Sequence, residues 1–242
     1  MQSWLDGVNP FTKTGTGRWT LTGANTWNGG LTINGGLVLA NNTSGSAVGS
    51  GAVAVNSTGA LGGTGIVTPA VTVNVGGAIS PGSNGVGTVT MTGGLTLNSG
   101  ALLNFDLGTT VASDKIAVIG ALALNGVLNL TNVAGFGAGT YTLITYTGAL
   151  SGGGLTIGAH PLGYNYSVNT ATANQVRLIV TVPTPLLPGE IAPPTFTVTA
   201  PLTLPVPPSA PFVFTVTAAL PVALPLVLFA RMMPPLMIVP PL

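Results

Sequence analysis

A short phrase occurs five times between Leu31 and Leu130 of this chain: apolar, small, apolar, Asn, with Gly close behind and more apolar positions after it. It reads "LTINGGLVL" from Leu31, "VAVNSTGAL" from Val53, "VTVNVGGAI" from Val71, "LTLNSGALL" from Leu95 and "LALNGVLNL" from Leu122. The starts lie 22, 18, 24 and 27 residues apart. An internal repeat of this period constrains the fold more than any other feature, because a unit that short cannot bury its apolar face alone and must stack on its neighbours. Within each phrase the period is two. Leu31 and Ile33 therefore share one face and Thr32 and Asn34 the other, and the same split holds for Val53/Val55, Val71/Val73, Leu95/Leu97 and Leu122/Leu124.

Asn followed by Gly suits a sharp corner, where a positive φ costs least. Short strands joined by such corners, at about 20 residues per cycle, fit one coil of a parallel β-solenoid. A β-sandwich is the structural alternative, with hairpin turns expected every 8–12 residues or so. Energetics favour stacking. A buried Val, Leu or Ile contributes about 1.5–3 kcal/mol, while ordering each residue costs about 1–2 kcal/mol in backbone entropy. One coil loses that contest; several coils sharing an interior win it. The corner amides Asn34, Asn56, Asn74, Asn98 and Asn125 are the structural repeat positions. Uncharged amides stacked at one corner can hydrogen-bond along the array, where like charges would repel.

The composition changes near residue 182. Sixteen of the 20 Pro lie from Pro183 onward, with one Gly (Gly189). Proline at that density removes too many backbone donors for a strand ladder. Residues 1–182 are therefore read as the solenoid and residues 183–242 as a Pro-rich, apolar, low-complexity tail of extended, poorly ordered character. The tail repeats "FTVTA" at Phe196 and Phe214, and the stretch from Pro211 to Ala230 is uncharged and of bilayer-spanning length, although Pro221 and Pro225 interrupt it.

Only 4% of the chain is charged and the net charge is +1. That excludes the basic footprint of a nucleic-acid partner. Without cysteine there is no disulfide, thiolate or Cys-zinc chemistry. The opening "MQSWLDGVNPFTK" lacks the basic and apolar regions of a signal peptide, so the expectation is a fragment of a longer exported chain.

Candidate chemistry is sparse. Glycoside hydrolysis needs two carboxylates across the scissile bond, and the solenoid region offers Asp6, Asp106 and Asp114. Asp106 and Asp114 could approach around "FDLGTTVASDK", but Asp114 reads better as the polar start of a strand, paired loosely with Lys115. His160 has no companion ligand and reads as an exposed loop residue. The runs Gly59–Gly65 and Gly135–Gly139 lack the Lys-Ser/Thr and helix of a phosphate loop and read as corners. No catalytic, metal or cofactor residue is assigned. Trp19, Trp27, Tyr164 and Tyr166 read as packing at coil ends or as the repeat's own aromatic position, with sugar stacking in a carbohydrate-binding module as the alternative.

The stretch "GTGRWTLTGANTWNGGLTINGGLVLAN" (Gly15 to Asn41) closely resembles the autotransporter-associated β-strand repeat, also called the passenger-associated repeat. "VGGAISPG" from Val75 and "GAGTYTLITYTGALSGG" from Gly137 also look like these proteins. The resemblance implies a right-handed parallel β-helix (β-solenoid) in the exported passenger of a bacterial surface protein. There it is a non-enzymatic stalk that supports secretion and adhesion at the extracellular, outer-membrane-associated cell surface. It implies no cofactor and no catalytic residue. Expected partners are a surface glycan or a host or matrix component. Membrane association is expected only through an outer-membrane barrel missing from this sequence or through the tail.

Overall fold

The computed structural model describes residues 8–184, together with the backbone of Phe196–Val198 and Phe214–Val216. The chain divides into two compact units, Met1–Pro183 and Thr184–Leu242. Every regular element among the described residues is a strand.

The first unit is a parallel β-solenoid of about six turns. Sheet A stacks Phe11–Lys13, Leu31–Ile33, Val53–Val55, Val71–Val73, Leu95–Leu97, Leu122–Ala123 and Leu150–Ser151, all parallel. Each recurring phrase thus supplies one strand of the same sheet. Sheet B stacks the strands on the far side of each corner: Arg18–Leu21, Gly36–Ala40, Gly59–Gly63, Ala78–Pro81, Leu102–Leu107, Val127–Asn132 and Thr156–Ile157. Successive repeats run in the same direction, which removes the antiparallel sandwich.

Register converts the period-two pattern into continuous interior lines. Ile33 pairs with Val55, Val55 with Val73 and Val73 with Leu97, and all four are fully buried. On sheet B, Val38, Leu61, Ile79, Leu103 and Leu128 form a second buried line. These lines merge into one core. Gly59–Gly63 is itself a strand of sheet B, not the corner its glycines imply. Its glycines serve close approach: a Cβ on Gly62 would lie 2.0 Å from the Ser80 carbonyl oxygen of the next coil.

Sheet C begins late, with Ile66–Val67, Thr88–Met91, Lys115–Val118 and Gly139–Tyr146. The first two coils cross this face without a strand, joined by scattered backbone bonds (Asn25 N–H to the Ser46 carbonyl, Ala47 N–H to the Ile66 carbonyl) and by side chains. Asn25 donates from Nδ2 to the Ala47 carbonyl (2.7 Å). Asn42 donates to the Ser44 and Gly45 carbonyls (2.9 and 3.0 Å) and accepts from the Ile66 N–H at 2.8 Å. At the other end sheet C reverses direction. Gln175–Thr181 lies antiparallel on Gly139–Tyr146, and Asn165–Asn169 lies antiparallel outside it.

The aromatic residues separate to the two ends of the interior. Register puts Trp19 in line with Val38, and Phe11 in line with Leu31. Trp27 is buried edge-on to Phe11 with ring centres 5.1 Å apart. At the far end Phe136, Tyr141, Tyr164 and Tyr166 form a chain of ring contacts 5.2 to 6.5 Å apart. Among the described residues, only Phe105 occupies the middle of the stack. The bulky rings cover apolar lines that would otherwise end in water.

In the second unit, Phe196–Val198 pairs antiparallel with Phe214–Val216. The two copies of the tail's own repeat thus form a two-stranded sheet, as β-branched, Pro-free triplets allow, instead of polyproline. The other expectations for residues 183–242 lie outside the described residues.

Truncation of the shared interior should cost most in the middle of the stack. Leu97→Ala is expected to lose about 2–5 kcal/mol in urea unfolding, and Leu150→Ala, half-buried near the end, clearly less.

Candidate functional site: corner amides and buried ionisable groups

The corner after five of the seven sheet A strands carries the repeated asparagine. Asn56 donates from Nδ2 to Oδ1 of Asn34 (2.7 Å), Asn74 to Asn56 (2.7 Å) and Asn98 to Asn74 (2.8 Å). Four amides thus form one ladder of three bonds, every bond donated toward the N-terminal coil; Asn56 and Asn74 both donate and accept. Asn125 leaves it. Its Nδ2 donates to the Leu97 carbonyl (3.4 Å) and its Oδ1 accepts from the Gly153 N–H at 2.7 Å. The cause is corner length. Asn98 lies four positions before Leu102, whereas Asn125 lies two before Val127, and Leu102 pairs with Val127. The shorter corner swings the amide out of line.

A second ladder runs outside sheet B and was not anticipated. Asn129 donates to Oδ1 of Asn104 (3.0 Å), Asn104 donates to Oγ of Ser80 (3.2 Å), and Asn129 Oδ1 accepts from the Ala159 N–H. The signal for it is an Asn at the same outward position of "LLNFDL" and "VLNLTN".

Lys13 carries no comparable signal in the sequence. It sits in the interior line of Ile33 and is 2% exposed. Its ammonium donates to the carbonyls of Thr14 (2.7 Å), Gly15 (2.8 Å) and Gly35 (3.0 Å) and stands 5.8 Å from the centre of the Trp19 ring. All three protons are used on backbone oxygens, which offsets the cost of burying the charge. An inward-pointing lysine at an outer strand also discourages edge-to-edge pairing.

Asp114 is the buried carboxyl group, 1% exposed. One oxygen accepts from the Gly87 N–H (2.7 Å) and the other from the Asp106 N–H (2.8 Å). It thus joins the corner before Thr88–Met91 to the sheet B strand of the next coil. No ion pair joins it to Lys115 among the described residues, contrary to the expected loose pairing: both oxygens are already engaged by backbone. Burial pushes its pKa up to about 6, against the lowering effect of the two amides. Asp106 faces outward from its strand, so the two carboxyl groups do not oppose each other across a cleft. His160 is exposed, with its ring 4.8 Å from that of Tyr166.

The aromatic candidates do not form a row. Trp27 is buried and Trp19 is 40% exposed at the start of an interior line. Tyr164 and Tyr166 pack against the far end of the core. Among the described residues, no group of three or more His, Asp or Glu is placed to hold a metal ion.

Two comparisons with known proteins bear on this arrangement. Residues 11–40 match the family model described as passenger-associated-transport-repeat. Over 110 residues, 43% of this chain, the sequence is 44% identical to the Adhesin BmaC autotransporter of Brucella suis biovar 1 (strain 1330). The matched region is 3% of that protein, so the chain spans a small part of its relative's length.

Asn74→Ala removes two ladder bonds and is expected to lower stability by about 1–2 kcal/mol. Asn74→Asp should cost more at neutral pH, where a carboxylate faces the Asn56 oxygen, and recover in acid. Urea midpoints at both pH values decide this. Asp114 gives a second expectation. Because its folded pKa is raised, the native state binds more protons between about pH 4 and 6, and its contribution to stability is lost as pH rises through about 6. Urea midpoints should fall from pH 4 to pH 7, and Asp114→Asn should flatten that slope.

Proposed function

Because the chain carries an autotransporter passenger repeat within a parallel β-solenoid, we propose that it is a non-enzymatic stalk segment of a bacterial exported surface protein. Its role is to support secretion and to present adhesive surface away from the outer membrane. The observation that carries the reading is the unbroken parallel register of sheets A and B, in which each repeat exists to receive the next. The placement of the ionisable groups supports it: Lys13 and Asp114 are committed to backbone partners within the stack. The adhesin named among its relatives extends the same reading to adhesion at the cell surface. A surface glycan or host matrix component is the class of partner proposed.

Folding outside the membrane supplies the physical link to secretion. A chain with few charges crosses a narrow channel unfolded with little electrostatic hindrance. It then gains interior contacts coil by coil, so each stacked repeat opposes return.

The test is surface display of the chain fused to an outer-membrane translocator barrel. The intact sequence should reach the surface and bind immobilised matrix protein. Ile79→Asp, which places a carboxylate in the sheet B interior line, should lower surface exposure several-fold by antibody labelling of intact cells. Equal display of both would refute the secretion role. Turnover of a matrix polysaccharide that Asp106→Asn abolishes, with display unchanged, would refute the non-enzymatic reading in favour of site chemistry.

A further inference from the structure

Four Asn–Gly pairs lie among the described residues: Asn28–Gly29, Asn34–Gly35, Asn84–Gly85 and Asn125–Gly126. Such pairs can cyclise, because glycine offers no side chain to hinder attack by its own backbone nitrogen. Cyclisation requires that nitrogen to swing onto the Asn side-chain carbon, so it demands freedom in both residues. The fold removes this freedom at three pairs. Asn34 Oδ1 accepts from Asn56, the Gly35 carbonyl accepts from Lys13, and Gly35 is buried. Asn125 is held through both side-chain atoms, and Gly126 is buried. At Asn28–Gly29 it is the backbone that is held: a Cβ on Gly29 would lie 2.2 Å from the Asn9 carbonyl carbon, and the carbonyls of Trp27 and Gly30, which flank the pair, both accept backbone hydrogen bonds.

At Asn84–Gly85 neither the side chain nor the glycine backbone is held. Both residues are exposed, on the turn between Ala78–Pro81 and Thr88–Met91. No hydrogen bond engages the Asn84 side chain or the Gly85 N–H, and nothing lies within 4 Å of a Cβ built on Gly85. We propose that Asn84–Gly85 is a self-modification site of this protein, converting spontaneously to an acidic residue while the corner amides are preserved by the stack.

The chemistry needs only water. The Gly85 backbone nitrogen bonds to Cγ of Asn84, and the Cγ–Nδ2 bond breaks. Ammonia leaves with the proton given up by the attacking nitrogen. Water then opens the succinimide ring at either carbonyl, leaving an aspartyl or isoaspartyl linkage at position 84. No oxidant or enzyme enters the balance. The product adds a carboxylate to a chain with four acidic residues. It does so on the turn whose Gly87 N–H serves Asp114, where a second negative charge disfavours ionised Asp114. The modification thus reads out as altered pH dependence of stability.

The test is storage of the full chain in mildly alkaline buffer, followed by peptide mapping for the amide-to-acid mass change and for isoaspartate. Conversion should concentrate at position 84. The other three pairs should react roughly ten- to a hundredfold more slowly, in keeping with the cost of local opening, and should match position 84 once the chain is unfolded in urea. Asn84→Gln should abolish the folded-state reaction. The proposal is overturned if the native chain resists conversion at position 84 while the unfolded chain converts there, or if Asn34 and Asn125 react as fast as Asn84 in the native chain.

Discussion

Stacking of each coil on the one before it, through parallel backbone hydrogen bonds in fixed register, is the interaction on which the structure depends. Sheets A and B each continue that register through seven strands. Because side chains alternate at period two, a slip of one residue would turn an entire interior line outward. Ile33, Val55, Val73 and Leu97 stay on one line only because their strands pair residue for residue. The corner amides add direction to this. Asn56, Asn74 and Asn98 each donate toward the preceding coil, so the ladder from Asn98 to Asn34 repeats the spacing of the backbone ladder.

The scarcity of charge has its origin in the same geometry. Identical positions in successive coils lie about 4.8 Å apart, so a charge placed at a repeated position meets its own copies. Asn, Thr and Ser keep the outer faces wet without that repulsion. The two buried charged side chains among the described residues have no like charge in line with them in the next coil, and backbone atoms satisfy both. Lys13 uses three carbonyls at the N-terminal coil, and Asp114 uses two N–H groups between neighbouring coils. The ends need different residues from the middle, and they have them: large rings where the interior lines stop, and a reversed hairpin where sheet C stops.

Much of this was legible in particular residues. The alternation in "VTVNVGGAI" announces a strand, its inward face and the corner beyond it, because all three arise from local backbone geometry. The four amides of the first ladder were legible for the same reason. Asn125 was not: its displacement comes from a corner two residues shorter, which matters only once Leu102 and Val127 are paired. The glycines of "GALGG" pointed to a corner because their use, close approach by Ser80, depends on a neighbouring coil. The burial of Lys13 was equally hidden, since an inward lysine is defined by register with Ile33 and not by its own neighbours in sequence.

The sequence alone determined that the chain repeats, that its strands are short and one-sided, and that its chemistry is uncharged, since each of these is a property of a few adjacent residues. Tertiary structure alone decided which outward amides meet, where the carboxyl of Asp114 goes, and that Gln175–Thr181 runs back against the stack in sheet C. Those outcomes depend on the distance between coils, and that distance exists only after the coils have come together.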